Sequence, residues 1–355
     1  MSSDVGTAPS RATMQQIVAC AFNAPSGDNL QPWLVDWHDG ALSVAIDRNR
    51  DLSLYNFRYR ASLIALGAML ENLTIAARHF GFDAMASLGA DGNDLLNARV
   101  VFKQAAPADD PLYPAIDQRC TNRRPYQKVP LRHGVLEALA LAVPSDGVSE
   151  LTFIHDTPRK RALARAASLN DGLLLEWKQL HDGLFDAVRW TGDEAERTRD
   201  GLFVKALELG PTALAFRMMR SWPTAKVLRL LGAKAFAPLH SYATFMRSAV
   251  FGFLQMTTVT REAYVEGGRR LERLWLTATL LGVSLQPMAG TMCLLPYLDQ
   301  QPGLLSAAQR ATLVKARGVY DDLLHLRTDW APILLFRLGY DEGPSARSLR
   351  RRVAL

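Results

Sequence analysis

The segment RCTNRRPYQ, residues 119–127, alternates cationic and hydroxyl side chains. If the segment is extended, Arg119, Thr121 and Arg123 point to the same side. Two guanidinium forks and a hydroxyl can then converge on one phosphate, because arginine binds phosphate oxygens through paired hydrogen bonds. The pattern favours a phosphate site just before a helix. In the alternative interpretation, both arginines lie at the surface and pair with Asp117 or with the acids at 109 and 110.

Two further segments have unusual compositions. NAPSGDNLQPW, at 23–33, concentrates hydrogen-bonding groups between two apolar stretches, although Asn29 and Gln31 could simply satisfy the backbone of their own loop. VSLQPMAG, at 283–290, directly follows a long apolar helical pattern. Its small residues would let a main-chain N–H group come close to a flat ligand.

Composition excludes several other kinds of chemistry. Cys20, Cys120 and Cys293 are far apart and odd in number, which argues against a disulfide framework and a zinc site, and the seven histidines do not cluster. The sequence therefore predicts no metal centre. The net charge of +6 comes without a zinc-finger, RRM or helix-turn-helix signature, so no nucleic-acid partner is expected and a small phosphate ester fits better.

The chain shows no pattern typical of export or membrane insertion. Its first residues lack a cationic start followed by an apolar run, so they do not resemble a secretory signal. Apolar stretches such as SAVFGFLQMTTV are too short to span a bilayer. For the basic stretch FRMMRSWPTAKVLRLLGAKAF, a packed helix with solvated arginines is favoured over a membrane-surface helix. A cytoplasmic protein without a membrane partner is predicted.

Two segments of the chain resemble each other. GAMLENLTIAARHFGF at 67–82 and GRRLERLWLTATLLGV at 268–283 align without gaps, with apolar residues at helical spacing. Gly81 and Gly282 suit left-handed C-caps at their ends. The interpretation is a chain of two halves with a similar plan, and chance similarity between two amphipathic helices is the alternative.

The two halves are predicted at 1–105 and 106–355. The second is longer, and its extra residues, at about 160–250, show helical patterns typical of a lid over a site. Strand patterns occur at 98–105, 249–259 and 331–340. This mixture predicts an α+β fold with a central sheet and a pair of long buried helices at the junction of the halves.

The motifs, in this order, resemble those of the FMN-dependent nitroreductase superfamily. They are RxTxR at 119–123, PSGxNxQPW at 25–33, a GxxLExLxLxAxxxG helix leading into PMAG at 287–290, and a terminal LLFRLGY followed by arginines. TNRRPY and the fused halves are similar to the Acg-type branch, in which one chain imitates the usual dimer. The resemblance implies a nitroreductase-like fold, an intramolecular pseudo-dimer and a helical lid insertion.

The resemblance also implies which residues bind FMN. Its phosphate would be held by Arg119, Thr121 and Arg123, joined by Arg347 or Arg350. Its pyrimidine side and ribityl chain would meet Pro25, Ser26, Gly27, Asn29 and Gln31. The isoalloxazine would be lined by Pro287, Met288, Ala289 and Gly290, with a main-chain N–H directed at flavin N5. Since each half lacks part of the motif set, one FMN per chain is expected.

The implied activity is that of a nitroreductase-type oxidoreductase. NADPH or NADH would deliver hydride to flavin N5, and an electron-poor small molecule would then accept it in a two-electron ping-pong cycle. The flavin carries the chemistry, so no side chain is assigned as catalytic. The alternatives are a flavin-sequestering protein without turnover and a tailoring dehydrogenase of a biosynthetic pathway. A monomer or weak homodimer is expected.

Overall fold

The protein is described by a computed structural model that covers residues 8–90, 96–353 and 355. Within these ranges the α-helices are α1 (Arg11–Phe22), α2 (Arg60–His79), α3 (Tyr113–Gln118), α4 (Val135–Leu141), α5 (Thr157–Leu174), α6 (Lys178–Ala187), α7 (Gly192–Thr198), α8 (Ala213–Met219), α9 (Trp222–Leu230), α10 (Ala233–Phe245), α11 (Arg261–Leu280), α12 (Gly290–Leu294), α13 (Pro296–Gln300) and α14 (Ala307–Leu324). Short 3-10 turns include Gly27–Asn29 and Leu54–Tyr59.

The strands of the described ranges are β1 (Trp33–His38), β2 (Ala41–Ile46), β3 (Phe82–Ala90), β4 (Leu96–Gln104), β5 (Ser149–Ile154), β6 (Val188–Arg189), β7 (Leu202–Phe203), β8 (Val250–Met256), β9 (Ser284–Pro287) and β10 (Ala331–Gly339). The strand patterns predicted near 98–105, 249–259 and 331–340 correspond to β4, β8 and β10. Together with the helices they confirm an α+β fold.

The first four strands form an antiparallel sheet in the order β1-β2-β4-β3. In β2, Leu42, Val44 and Ile46 are buried while Ser43 is exposed, which is the alternation expected when one face of a strand packs on a core. The buried face packs in one hydrophobic cluster with residues of α1 and α2.

A second antiparallel sheet has the order β5-β8-β10-β9. Its strand β8 is buried along its whole length. Phe251 and Phe253 pack in a cluster with α5 and α14, whereas Leu254 and Met256 pack in the cluster that contains α11. Helices therefore cover both faces of this sheet.

The two similar helices, α2 and α11, cross each other at their repeated glycines. A Cβ atom on Gly67 would lie 1.8 Å from the carbonyl oxygen of Val265, and one on Gly268 would lie 2.0 Å from that of Ile64. The absence of side chains at both positions lets the backbones approach. Gly81 and Gly282 have the positive φ predicted for C-caps.

The segment Leu54–His79, which contains α2, is long and apolar enough to cross a membrane by composition alone. However, 78% of its apolar window is buried inside the protein. Glu71 on α2 also binds Arg269 and Arg273 of α11, at 3.0 and 2.7 Å. This is the pattern of a core helix.

Between β5 and β8 the chain forms the helices α5 to α10, at 157–245. Helices were expected across about 160–250, including LARAASLNDGLLLEWKQLHDGLF at 163–185 and GLFVKALELG at 201–210, and for these two stretches the expectation is wrong. The helical pattern at 163–185 is interrupted, because α5 ends at Leu174 and α6 begins at Lys178. The pattern at 201–210 contains β7, which pairs in parallel with β6, and a 3-10 turn at Val204–Leu207.

Candidate functional site

A cavity of ≈ 1150 Å³ is lined by the loop after α1, the segment after α3, the turn between β9 and α12, and the carboxyl-terminal segment. Residues of α5, α6, α8, α9 and α10 line its other side. Ligand pockets usually measure about 300–1,000 Å³, so this one has room for a cofactor and a second molecule.

Most of the residues predicted to form a site line this cavity. They are Pro25, Ser26, Gly27, Asn29, Arg119, Thr121, Arg123, Pro287, Ala289, Gly290, Arg347 and Arg350. Gln31 and Met288 are not among the lining residues.

Gln31 and Met288 have other contacts. Gln31 is fully buried; its side-chain amide donates to the carbonyl of Arg199, and its Oε1 accepts from the N–H of Arg351. Met288 packs in the hydrophobic core, and its N–H donates to the carbonyl of Leu335 at 2.7 Å. Both residues are therefore held by contacts with protein and do not line the cavity.

The segment that carries the predicted phosphate-binding residues follows α3 and pairs with β9 through a parallel bridge between Thr121 and Leu285. The prediction that it stands just before a helix is wrong, because the next helix, α4, begins at Val135. The bridge and the N–H of Asn122, which donates to the carbonyl of Leu285, hold the segment against the sheet.

Arg119 is held from several sides and does not pair with the acids at 109, 110 or 117. Its Nε lies 3.2 Å from Oε1 of Glu272, and its guanidinium lies over the ring of Trp275. Its Nη2 donates to the carbonyl of Asn23 at 2.7 Å. Glu272 is fully buried, and this burial raises the pKa of its carboxyl to about 7, although Arg119 acts in the opposite direction.

Arg350 lies close to Arg119, because its Nη2 also donates to the carbonyl of Asn23, at 3.3 Å. Burial, together with the positive charge of Arg119, lowers the pKa of Arg350 to about 9. Both guanidiniums donate to the carbonyl of Asn23, and Glu272 pairs with Arg119, so the corner has more donors and positive charge than its acceptors balance. An anion such as a phosphate would balance both.

Arg123 and Arg347 reach the cavity from other directions. Arg123 donates to the carbonyl of Ala206 at 3.3 Å, and burial lowers the pKa of its guanidinium. Arg347 donates to the carbonyl of Asp117 at 2.8 Å, where it is exposed. Of the two carboxyl-terminal arginines, only Arg350 lies in the corner beside Arg119.

The polar loop after α1 is held in an unusual conformation. Asp28, Asn29 and Gln31 have positive φ angles of 46°, 57° and 52°. Asn29 donates through its side-chain amide to the carbonyls of Gly201 and Leu349, both at 2.9 Å. Its Oδ1 is buried and accepts no hydrogen bond within the described chain. A ligand hydroxyl or N–H group would satisfy it.

Acidic groups also line the cavity. Burial raises the pKa of Asp28 to about 6, and the charge of Asp51 acts in the same direction, whereas Arg123 opposes it. Burial also raises the pKa of Asp171, on α5, to about 6. These side chains gain protons more readily than exposed aspartates.

A residue of the insert lies close to the turn between β9 and α12. A Cβ atom on Gly290 would lie 2.6 Å from Cγ of Asn170, on α5, so glycine is needed there because of a neighbouring side chain. Asn170 Oδ1 accepts a hydrogen bond from the hydroxyl of Tyr55 at 2.9 Å. The insert therefore covers the cavity wall that contains Ala289 and Gly290.

Sequence reasoning missed Arg60 and Tyr264, which also line the cavity. The guanidinium of Arg60 lies over the rings of Phe57 and Tyr264, and the buried hydroxyl of Tyr264 has no hydrogen-bond partner in the described chain. A cation at the first residue of a helix opposes the helix dipole, but α1 and α11 also begin with arginine, so this signal could not have singled out Arg60.

Fold and site together define an α+β protein with a large cavity, at one corner of which the side chains of Arg119 and Arg350 lie close together. No protein-family model matches this chain. It is similar to "Uncharacterized protein MT1398" of Mycobacterium tuberculosis (strain CDC 1551 / Oshkosh), with 24% identity over 97% of this chain and 48% of the relative.

Two further relatives from Mycobacterium tuberculosis (strain ATCC 25618 / H37Rv) have informative names. "Putative NAD(P)H nitroreductase acg" is 29% identical over 53% of this chain and 56% of its own length. "Putative NAD(P)H nitroreductase Rv3131" is 25% identical over 92% of this chain and 87% of its own length. These similarities confirm the resemblance to the nitroreductases and to their Acg-type branch. The chain spans about half the length of the first two relatives.

Solved structures show a weaker likeness. A nitroreductase with bound FMN from Bacteroides fragilis has a TM-score of 0.35 and 13% identity, over 69% of this chain and 95% of that one. Iodotyrosine deiodinase bound to FMN and 3-iodo-L-tyrosine has a TM-score of 0.35 and 12% identity, over 69% and 97%. At these TM-scores, the resemblance depends on the sequence relatives.

Proposed function

We propose that this protein binds one FMN in the cavity and is an oxidoreductase of the nitroreductase type. The observation that carries the proposal is the pair of Arg119 and Arg350, whose guanidiniums both donate to the carbonyl of Asn23 and leave further N–H donors for a ligand. The similarity to NAD(P)H nitroreductases supports a redox cofactor as the ligand that brings the missing negative charge.

In this proposal, Arg119 and Arg350 hold the FMN phosphate, and Thr121, Arg123 and Arg347 complete that end of the site. Pro25, Ser26, Gly27 and Asn29 contact the rest of the cofactor, with the unsatisfied Oδ1 of Asn29 as an acceptor. Pro287, Ala289 and Gly290 line the isoalloxazine. The structure gives Gln31 and Met288 supporting contacts, so we assign them no contact with FMN.

When bound, FMN supplies two-electron hydride transfer at N5, in a ping-pong cycle from NADPH or NADH to an electron-poor small molecule. The chain positions the cofactor, excludes water through the insert and places positive charge near it. Arg60 has no carboxylate partner among the described residues, and we assign it to stabilising negative charge on the ligand.

We further propose that 1–105 and 106–355 are two halves of a pseudo-dimer, with the insert at about 160–250 acting as a lid. The two four-stranded sheets and the crossing of α2 and α11 support this division. A cytoplasmic location and a monomer or weak homodimer stay predictions.

Rapid mixing of the purified yellow protein with NADPH or NADH tests the enzyme. Bleaching of the flavin absorbance, followed by recovery when a nitroaromatic compound or a quinone is added, is expected. If neither nicotinamide bleaches the flavin while dithionite does, NAD(P)H-dependent turnover is contradicted.

A second candidate function is flavin binding without turnover. One observation favours it, namely that Asn170 on the insert lies against Gly290, at the wall where a nicotinamide would have to approach. Under this alternative, NADPH would not reduce the wild type, and an Asn170→Ala variant, which lacks the blocking side chain, would gain reduction by NADPH. Under the enzyme proposal, both proteins would be reduced, and the variant at least as fast.

A further inference from the structure

The outer surface of the insert has an unusual composition. Helices α8, α9 and α10 lie over the cavity and contribute Phe216, Leu228 and Ala237 to its lining. The exposed apolar side chains of this region that do not line the cavity are Leu214, Met218, Val227, Leu230, Leu231 and Leu239. We call this the outer lid face.

The apolar residues of the outer lid face follow helical spacing. Leu214 and Met218 are four residues apart on α8, and Val227 and Leu230 are three apart on α9. Leu230 and Leu231 are 81% and 75% exposed. The sequence favoured a packed helix with solvated arginines for this stretch. The structure has short helices there, which bury Ala225 but leave Leu230 and Leu231 outside.

The charge of this region is of one sign. From residue 209 to residue 260 the chain has no Asp or Glu but has six basic residues, Arg217, Arg220, Lys226, Arg229, Lys234 and Arg247. Lys234 pairs with Glu176, and Arg220 lies over Trp190. Arg217, Lys226 and Arg229 form no ion pair within the described part of the chain.

We propose that the outer lid face binds the surface of an anionic lipid bilayer. Exposed aliphatic side chains beside lysine and arginine side chains without an ion-pair partner match the chemistry of a helix that lies in a membrane interface. A second copy of the chain is a poorer occupant, because pairing two such faces would bring together like charges. This binding does not depend on FMN, although it would place the lid of the proposed site on the bilayer.

Sedimentation with vesicles tests this proposal on the full-length, flavin-loaded protein. Vesicles of phosphatidylcholine with phosphatidylglycerol should bind the protein. Vesicles of phosphatidylcholine alone should bind it with an affinity at least about tenfold lower. Raising the salt concentration should weaken binding to the anionic vesicles, because it screens the basic side chains.

Two variants locate the binding surface. Leu230→Ser/Leu231→Ser removes apolar contact, and Lys226→Glu/Arg229→Glu reverses two charges; each should weaken binding to anionic vesicles about tenfold or more. The matched controls are Leu141→Ser, at a leucine of α4 that is 86% exposed, and Lys103→Glu/Lys128→Glu, at exposed lysines elsewhere. The controls should bind like the wild type, and all variants should keep their flavin absorbance.

Three outcomes would overturn the proposal. The first is no sedimentation with anionic vesicles at low salt. The second is equal loss of binding in the variants and the controls. The third is a dimer in analytical ultracentrifugation that Leu230→Ser/Leu231→Ser abolishes, without any vesicle binding by the wild type, which would make this face a contact between copies.

Discussion

Arg350 is the residue at which the proposed phosphate site can be tested with least damage to the fold. It lies half-buried beside Arg119, and that environment lowers its pKa to about 9. Arg119 is less suitable, since its removal would leave the buried Glu272 without its ion-pair partner.

We expect Arg350→Ala to weaken FMN binding about tenfold to a hundredfold, because a hydrogen bond to a charged group contributes about 1.5–3 kcal/mol. The unfolding free energy of the apo form should not fall, because the buried Glu272 keeps Arg119 as its ion-pair partner and a partly desolvated cation is removed. FMN titration followed by fluorescence measures the first effect, and urea denaturation measures the second. Arg352→Ala, at an exposed arginine two residues away, is the control. FMN affinity equal in both variants would remove Arg350 from the site.

The raised pKa of Asp28 predicts a pH-dependent effect on stability. Burial raises this pKa from 3.8 to about 6, so the folded apo protein holds the proton more tightly than the unfolded chain does. Stability is therefore lost as the pH rises from about 4 through about 6. Asparagine at this position keeps the shape and tolerates the positive φ but cannot ionise.

Asp28→Asn should therefore stabilise the apo protein at about pH 7.5 by up to about 3 kcal/mol, since each pKa unit corresponds to about 1.4 kcal/mol. The gain should vanish near pH 4. Urea denaturation of both proteins at the two pH values measures this difference. A gain of the same size at both values would show that ionisation of Asp28 is not its cause.

At the level of elements, the crossing of α2 and α11 joins the two parts of the fold, and it depends on glycine. Gly67→Ala would place a methyl group 1.8 Å from the carbonyl oxygen of Val265. We expect a loss of about 1–3 kcal/mol or more, because neither backbone can move freely in a packed core.

Gly318→Ala is the matched control for this substitution. Gly318 is also inside a helix, α14, but a Cβ atom there would meet nothing within 4 Å. That variant should be neutral or more stable by up to about 1 kcal/mol, since alanine favours helices. Thermal unfolding of both variants measures the contrast. If Gly67→Ala unfolded at the same temperature as the control, α2 and α11 would not approach each other as closely as described.

The features that the sequence predicted well are those that depend on local patterns. The periodicity of α2 and α11, and their terminal glycines, followed from neighbouring residues. The contacts of Gln31 could not be predicted in this way, because its partners Arg199 and Arg351 are 168 and 320 residues away along the chain. The expected helix at 201–210 is absent for a similar reason, because β7 forms there by pairing with the distant strand β6.

The sequence also could not show which apolar side chains of the insert face solvent. The basic stretch was expected to pack, because its apolar residues repeat at helical spacing. That spacing shows that a helix has an apolar side but does not show whether that side faces protein or solvent. Gly290 of the PMAG motif was expected to let a main-chain N–H group come close to a ligand. Its close neighbour in the structure is the side chain of Asn170, which the sequence pattern could not place there.

At the level of the whole molecule, three distant segments meet behind the cavity. The loop after α1, the turn at 199–203 and the carboxyl-terminal segment are joined by hydrogen bonds from Asn29 to Gly201 and Leu349, and from Arg199 to the carbonyl of Arg350. These bonds hold Arg350 in place, so the cavity requires both ends of the chain and the insert.

The number of cofactors per chain follows from the corner of the cavity where Arg119 and Arg350 meet. Arg119 and Arg350 meet at one place, and the proposed halves contribute different residues to it. One folded chain should therefore hold one FMN, whether or not it forms a homodimer.

The most direct measurement is the amount of FMN released when the flavin-saturated protein is denatured, divided by the concentration of chains. The account predicts one FMN per chain, bound by the monomer when ultracentrifugation shows no dimer. Two FMN per chain, or none after saturation with free FMN, would contradict the account.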